Sequence, residues 1–235
     1  MLKDKEAIKH WLNSMKIENY TINDDFTVDV DGYVDISQKK LINIPVQFGI
    51  VKDHFACNDN QLTNLDGCPQ SVGKDFHCNN NQLTSLVGCP QSVGEGFYCY
   101  NNQLISLEGS PQVVGEDFFC YNNQLTTLKG CPQVVGGNFS CNDNILTNLD
   151  NCPKSVDGDF NCLNNPILDL NNFECTFSED FYHNGYIIES FAEFYIEGEL
   201  FLTYKEMENI NLNNKLNETI KNKTETINPV NKKKL

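Results

Sequence analysis

A cysteine returns every 21 residues along this chain, at Cys57, Cys78, Cys99, Cys120, Cys141 and Cys162. Other columns keep the same step. Phe55, Phe76, Phe97, Phe118, Phe139 and Phe160 stand two residues before the cysteines, and Asn60, Asn81, Asn102, Asn123, Asn144 and Asn165 stand three after. Leucines follow at Leu62 and Leu65 and recur to Ile167 and Leu170, and a valine column runs from Val51 to Val156. A period this strict constrains the fold more than any local propensity does. One 21-residue row cannot bury its apolar side alone, so the rows must stack and share a core.

The triplet at each cysteine alternates: Phe inward, a variable residue outward, Cys inward. That period of two predicts a short strand with one buried face, and successive rows stack such strands in parallel about 4.8 Å apart. The Asn that follows fits a bend, where its amide satisfies backbone groups and repetition builds an internal ladder. The two Leu point back inward. The "GCP" that comes next breaks regular structure, and Val and Gly then lead into the next strand. The back of each coil is too short and too rich in Pro and Gly for a long helix, so turns and extended segments are expected there. "YVDISQKKLINIP" places Val34, Ile36, Leu41 and Ile44 in the Phe, Cys and two Leu columns, with Lys39 in place of Asn. "DFYHNGYIIESF" does the same with Phe181, His183, Ile188 and Phe191. Eight turns result, the outer two degenerate, as end rows facing water must be.

Written as F-x-C-x-x-N-x-L-x-x-L, the row resembles the leucine-rich repeat in its short bacterial and phage form, with Phe and Cys in the two strand leucine positions. The resemblance covers residues 32–191. It implies a mostly β solenoid with a short-stranded parallel sheet on a concave face, and protein interaction as the class of activity. The leader "WLNSMKIENYTINDDFTVDVDGYVDIS" is similar to leaders of repeat proteins from phages and AT-rich microbes.

The ends are built differently. Ala7, Ile8, Trp11, Leu12 and Met15 share one face of a helix expected near residues 4–15. "YTINDDFTVDVDGYVDI" reads as a hairpin turning at Asn23-Asp24-Asp25. Residues 1–31 thus form an N-terminal cap over the first open edge. Residues 192–204 form a C-terminal cap. At that end of the chain Ile187, Ile188, Phe191, Phe194 and Tyr195 suit a helix, while "FYIEGELFLTY" equally suits a hairpin about Gly198. Residues 205–235 are a polar, Lys-rich tail, either a loose helix or disordered.

Charge narrows the partners. Residues 1–204 carry 10 Lys against 28 Asp and Glu, while the tail carries 7 Lys against 4 Glu. An acidic body repels phosphate backbones, so nucleic acid is not the expected partner. No segment approaches the roughly 20 apolar residues of a membrane helix. The charged start, "MLKDKEAIKHWLNSMK", does not read as a secretory signal. The expectation is a cytoplasmic protein whose 11 cysteines are free thiols. The nearest cysteines lie 10 or 11 apart, whereas metal sites use clustered ligands such as C-x-x-C. With Cys68, Cys89, Cys131 and Cys152 also facing inward and Ser110 interrupting that column, packing is the expected role, with no metal or cofactor. His54 and His77 can share a sheet surface and read as a solvated pair. No Ser-His-Asp set, phosphate-cradling loop or H-E-x-x-H is present, so no enzyme is expected.

The outward strand positions carry the remaining information. Aromatics concentrate in two adjacent rows as Tyr98, Tyr100, Phe119 and Tyr121, with His77 one row earlier. Glu95, Glu116 and Asp117 precede them, with Asp75 a row before, as an acidic rim. Tyrosine offers large contact area and a polar tip, which suits binding to a basic or mixed polypeptide. Cross-strand stacking that only stabilises the ladder is the competing reading. A carbohydrate or small-ligand surface, or a self-assembling element of a virus particle, are the alternatives from other classes.

Overall fold

Two short strands, not one, carry the chain around each coil. Ser71–Val72 pairs in parallel with Ser92–Val93 one repeat on, and Phe76–His77 pairs likewise with Phe97–Tyr98. The computed structural model describes residues 1–168, 170, 173–183 and 186–188, and all of these except Leu170 belong to one compact unit. In that unit the strands collect into two nine-stranded sheets. One gathers the valine column and the other the Phe-x-Cys column. In the Phe sheet eight parallel strands run from Val34–Asp35 to Phe181–His183, so seven full turns of 21 residues separate first from last. A mostly β parallel solenoid is what the periodicity predicts.

The second sheet was not expected from the sequence. The back of the coil reads as turns, yet the valine column forms its own ladder, because Val72, Val93, Val114, Val135 and Val156 all point into the core. Their outward neighbours, such as Ser92 and Val113, are exposed. The corner between the sheets falls at Gly73, Gly94, Gly115 and Gly136. These glycines are required by close approach: a Cβ on Gly115 would run into the carbonyl oxygen of Gly94, one coil below. A third line of inter-coil bonds links the Leu turns, where Gln82, Gln103 and Gln124 N–H donate to Leu62, Leu83 and Leu104 carbonyls at 2.8–2.9 Å.

The core is a file of side chains repeated at the coil step. Phe55 to Phe181 stack ring on ring with centroids 5.0–5.8 Å apart. Cys57, Cys78, Cys99, Cys120, Cys141 and Cys162 are fully buried beside them, as are Leu62, Leu83, Leu104, Leu125 and Leu146. A cysteine here is a small apolar filler, and Ser110 replaces one because its hydroxyl donates to the Gly130 carbonyl at 2.6 Å.

The predicted Asn ladder is present and continuous. Asn102 Oδ1 accepts the Leu83 N–H at 3.0 Å, and its amide donates to the Cys78 and Cys99 carbonyls, each at 3.1 Å. Asn60, Asn81, Asn123, Asn144 and Asn165 repeat the pattern. A second polar file lies just outside it, at Asp59, Asn80, Asn101, Asn122, Asp143 and Asn164. Each of these has a left-handed backbone, with φ of 51–55°. Asn and Asp tolerate that conformation better than other side chains do. Their amides also bond from coil to coil, Asn101 to Asn80 and Asn122 to Asn101 at 2.6 Å.

A helix and a hairpin precede the first coil. Helix α1 (Lys5–Ser14) starts at Asp4, whose carboxylate accepts the Ala7 N–H at 2.8 Å. It buries Ile8 and Leu12 and sets Trp11 against Phe48, the first ring of the core. Strands β1 (Tyr20–Ile22) and β2 (Thr27–Val30) make the hairpin. β2 then serves as the first parallel strand of the valine sheet, paired with Gln47–Val51, so the cap is continuous with the array. At the other end Tyr186–Ile188 pairs antiparallel with Phe181–His183. Ile187 and Ile188 are therefore strand residues and not the start of a helix, because pairing satisfies the last open edge of the Phe sheet. Phe191, Phe194, Tyr195, the expected C-terminal cap and the tail lie outside the described residues.

Candidate functional site

The outward face of the Phe sheet is set by strand alternation. Phe76, Phe97 and Phe118 turn inward, so His77, Tyr98 and Phe119 turn outward on adjacent strands. Cys99 and Cys120 turn inward again, and Tyr100 and Tyr121 emerge beyond them. All five rings come together. His77 stacks on Tyr98 at 4.6 Å with planes 7° apart, and Tyr98 meets Phe119 edge-on at 5.5 Å. Tyr100 and Tyr121 stack at 4.4 Å, and Phe119 approaches Tyr121 at 6.1 Å. Each ring keeps part of its surface in solvent.

The carboxylates around this cluster divide into two kinds. Asp75 and Asp117 belong to a corner file in which a side chain accepts the backbone N–H of the next coil. Asp75 Oδ1 takes the Gly96 N–H at 2.7 Å and Asp117 Oδ1 takes the Asn138 N–H at 2.8 Å. Asn138 and Asp159 continue the file. These two acids are therefore part of the scaffold as well as part of the rim. Glu95 is half-buried and Glu116 exposed. Gly96 occupies the same file without a side chain, and the vacant position is filled by Tyr98, whose ring folds back over the glycine. Burial, followed by the charges of Asp75, Asp117, Glu116 and Glu95, pushes the Tyr98 phenol up to about 12. Burial and then Tyr100 raise Tyr121. Both phenols therefore stay protonated as hydrogen-bond donors across the physiological range.

Beside the rings stands a second cluster, His54, Asp75 and His77. Asp75 Oδ2 lies 3.0 Å from His54 Nδ1 and 3.9 Å from His77 Nε2. Burial holds His77 below the usual histidine range, against the pull of Asp75. From sequence alone the two histidines read as a pair and Asp75 as part of the acidic rim. The signal was available: His54 and Asp75 occupy the same column one row apart, and His77 lies two residues further. The thiols do not contribute to this face. Ten of the eleven cysteines are buried, with Cys152 half-exposed, and all are free. Among the described residues no helix is long and apolar enough to cross a membrane.

No family model, curated protein or solved structure matches this chain. A repeat solenoid of 21-residue period is accordingly established by its own coil geometry.

Proposed function

We propose that this chain is a non-enzymatic protein-interaction module of the leucine-rich-repeat type, cytoplasmic, of phage or bacterial origin. Its outward Phe-sheet face receives a polypeptide partner. The observation that carries the reading is the contiguous patch of His77, Tyr98, Tyr100, Phe119 and Tyr121, partly exposed and bordered by Glu95, Glu116, Asp75 and Asp117. A rigid aromatic surface loses little side-chain entropy on binding, and a carboxylate border favours a partner with Lys or Arg.

The ring geometry favours a polypeptide over a carbohydrate. Sugar recognition by aromatics uses an open ring face. Here Tyr98 has a neighbouring ring on each side, and Tyr100 and Tyr121 spend one face each on the other.

The test is selection from a random peptide library against the full chain and a Tyr100→Ser/Tyr121→Ser variant, with unfolding curves on both. Enrichment of basic peptides by the parent, lost in an equally folded variant, supports the reading. Equal enrichment by both removes the patch from the interface. Glycan binding without peptide enrichment favours a carbohydrate surface, and large oligomers in solution favour a self-assembling element.

A further inference from the structure

His54, Asp75 and His77 place three ligand atoms of the right kind within 4.8 Å of one another, the one group of this sort among the described residues. The hydrogen bonding around His54 makes this cluster more than a coincidence of neighbours. Its Nδ1 accepts the Asp75 N–H at 3.4 Å, and its Nε2 faces Asp53 Oδ1 at 3.1 Å. Both ring nitrogens of His54 thus face carboxylates, Nε2 that of Asp53 and Nδ1 that of Asp75. At Nδ1 the N–H contact is long, and Asp75 Oδ2 lies closer, at 3.0 Å. Either a proton on Nδ1 or a metal ion satisfies that contact, and His77 Nε2, 3.9 Å from the same oxygen, supplies the further ligand that an ion needs.

We propose that His54 Nδ1, Asp75 Oδ2 and His77 Nε2 bind a divalent first-row transition ion, with Zn²⁺ the best match, on the outward Phe-sheet face. Two imidazoles and one carboxylate form a donor set that such ions take readily. At bond lengths of about 2.0–2.1 Å, the 3.0 Å gap between His54 and Asp75 subtends about 94° at the metal, and an ideal tetrahedral spacing is about 3.3 Å. The wider gap to His77 closes by a small turn of the imidazoles, which are partly exposed, with side chains 40% and 33% accessible. Three protein ligands leave at least one position for water or for a donor from a partner.

The surroundings hold each ligand in place, as metal sites require. Asp53 fixes the His54 ring through Nε2 and is itself steadied by Lys74 Nζ at 3.3 Å. The Gly96 N–H binds Asp75 Oδ1, leaving Oδ2 for the ion. Tyr98 lies flat against His77 and sets its plane. The ion would join two successive coils across their corner, and it would add positive charge where Asp53, Asp75 and Glu95 gather.

The competing role for His54 is structural, as the histidine version of the corner file. Two substitutions separate the roles. His54→Asn keeps an acceptor for the Asp75 N–H, as Asn138 does for Asp159 in the same file, but removes the imidazole. His77→Phe keeps a ring against Tyr98 and removes the nitrogen. The full chain is titrated with Co²⁺, followed by its electronic spectrum and displaced by Zn²⁺. The expected result is one Co²⁺ per chain, with visible ligand-field bands, no thiolate charge-transfer band, and full displacement by Zn²⁺. Each variant should weaken binding at least tenfold with an unchanged unfolding midpoint, and Asp53→Asn by about tenfold. Unchanged affinity in the His54→Asn/His77→Phe double variant overturns the site, because the ion then sits on other carboxylates. A thiolate band overturns it in favour of the cysteines. Absence of Co²⁺ uptake overturns it in favour of a proton bridging His54 and Asp75.

Discussion

Asn102 shows how much one repeated side chain carries. It satisfies a backbone donor on the coil below and two backbone acceptors on two coils, all in the interior. Removing it leaves the buried Leu83 N–H without a partner, at a cost of about 1–3 kcal/mol, while the Cys78 and Cys99 carbonyls keep the amides of Asn81 and Asn123. Asn102→Ala should therefore destabilise the array by about 1–3 kcal/mol in urea unfolding. Asn102→Asp should be worse, because an oxygen then faces the Cys78 and Cys99 carbonyls. A change within about 0.5 kcal/mol in Asn102→Ala would show that the bend is held by the Leu-turn bonds alone. The neighbouring Asn101 has a different reason to be Asn. Its φ of 54° and its bond to Asn80 place it in the outer file, where backbone conformation, and not burial, selects the residue.

At the scale of the coil, the glycine corner decides that there are two sheets. The valine and Phe strands lie five residues apart in each row, and the chain must turn sharply between them while touching the coil beneath. Gly115 sits directly over the Gly94 carbonyl and its N–H is followed by that of Glu116, which donates to the Glu95 carbonyl at 3.1 Å. Gly115→Ala should force neighbouring coils apart and cost about 1–3 kcal/mol, the range for overpacking a close-packed contact. Hydrogen exchange should show the loss, with faster exchange at Glu116 and Gly137, whose N–H groups bridge that corner. Full protection in the variant would mean that the corner has slack. Gly96 is a different case, because the space above it is taken by the flexible Tyr98 ring and not by backbone.

At the scale of the whole unit, the thiols make stability depend on pH in one direction. Burial pushes Cys78, Cys99, Cys120 and Cys141 well above the ordinary 9.0, and Cys89 and Cys162 up to about 12. Below pH 9 the thiols are protonated in both folded and unfolded chains, and this contribution to stability is constant. Above pH 9 the unfolded chain releases protons that the folded chain keeps, so stability falls as pH rises through the gap between the two. Each such thiol contributes a slope of up to about 1.4 kcal/mol per pH unit. Six of them acting together should lower the urea midpoint steeply between pH 9 and 10.5, while it stays flat from pH 7 to 8.5. A flat profile throughout would mean that the thiols ionise in the folded state. At pH 8 a thiol reagent should modify Cys152 first, since it alone among the eleven is half-exposed. Rapid labelling of most of them would contradict the buried file.

The 21-residue columns by themselves determined the solenoid, its register, the inward Phe, Cys and Leu files, the Asn ladder and the grouping of Tyr98, Tyr100, Phe119 and Tyr121. Each of these follows from a residue type repeating where burial or a bend repeats, and periodicity records that directly. The helix over α1 and the hairpin of β1 and β2 were legible for the same local reason, an apolar stripe and a turn cluster. Only the tertiary structure decided the second sheet, because a two-residue strand carries too little pattern to be told from a turn until its neighbours pair with it. It also decided that Asp75 and Asp117 accept backbone N–H groups, that Tyr98 folds over Gly96, and that His54 Nδ1 faces a carboxylate. Those depend on which way a side chain turns at a corner, which is set by contacts between coils and by no single row.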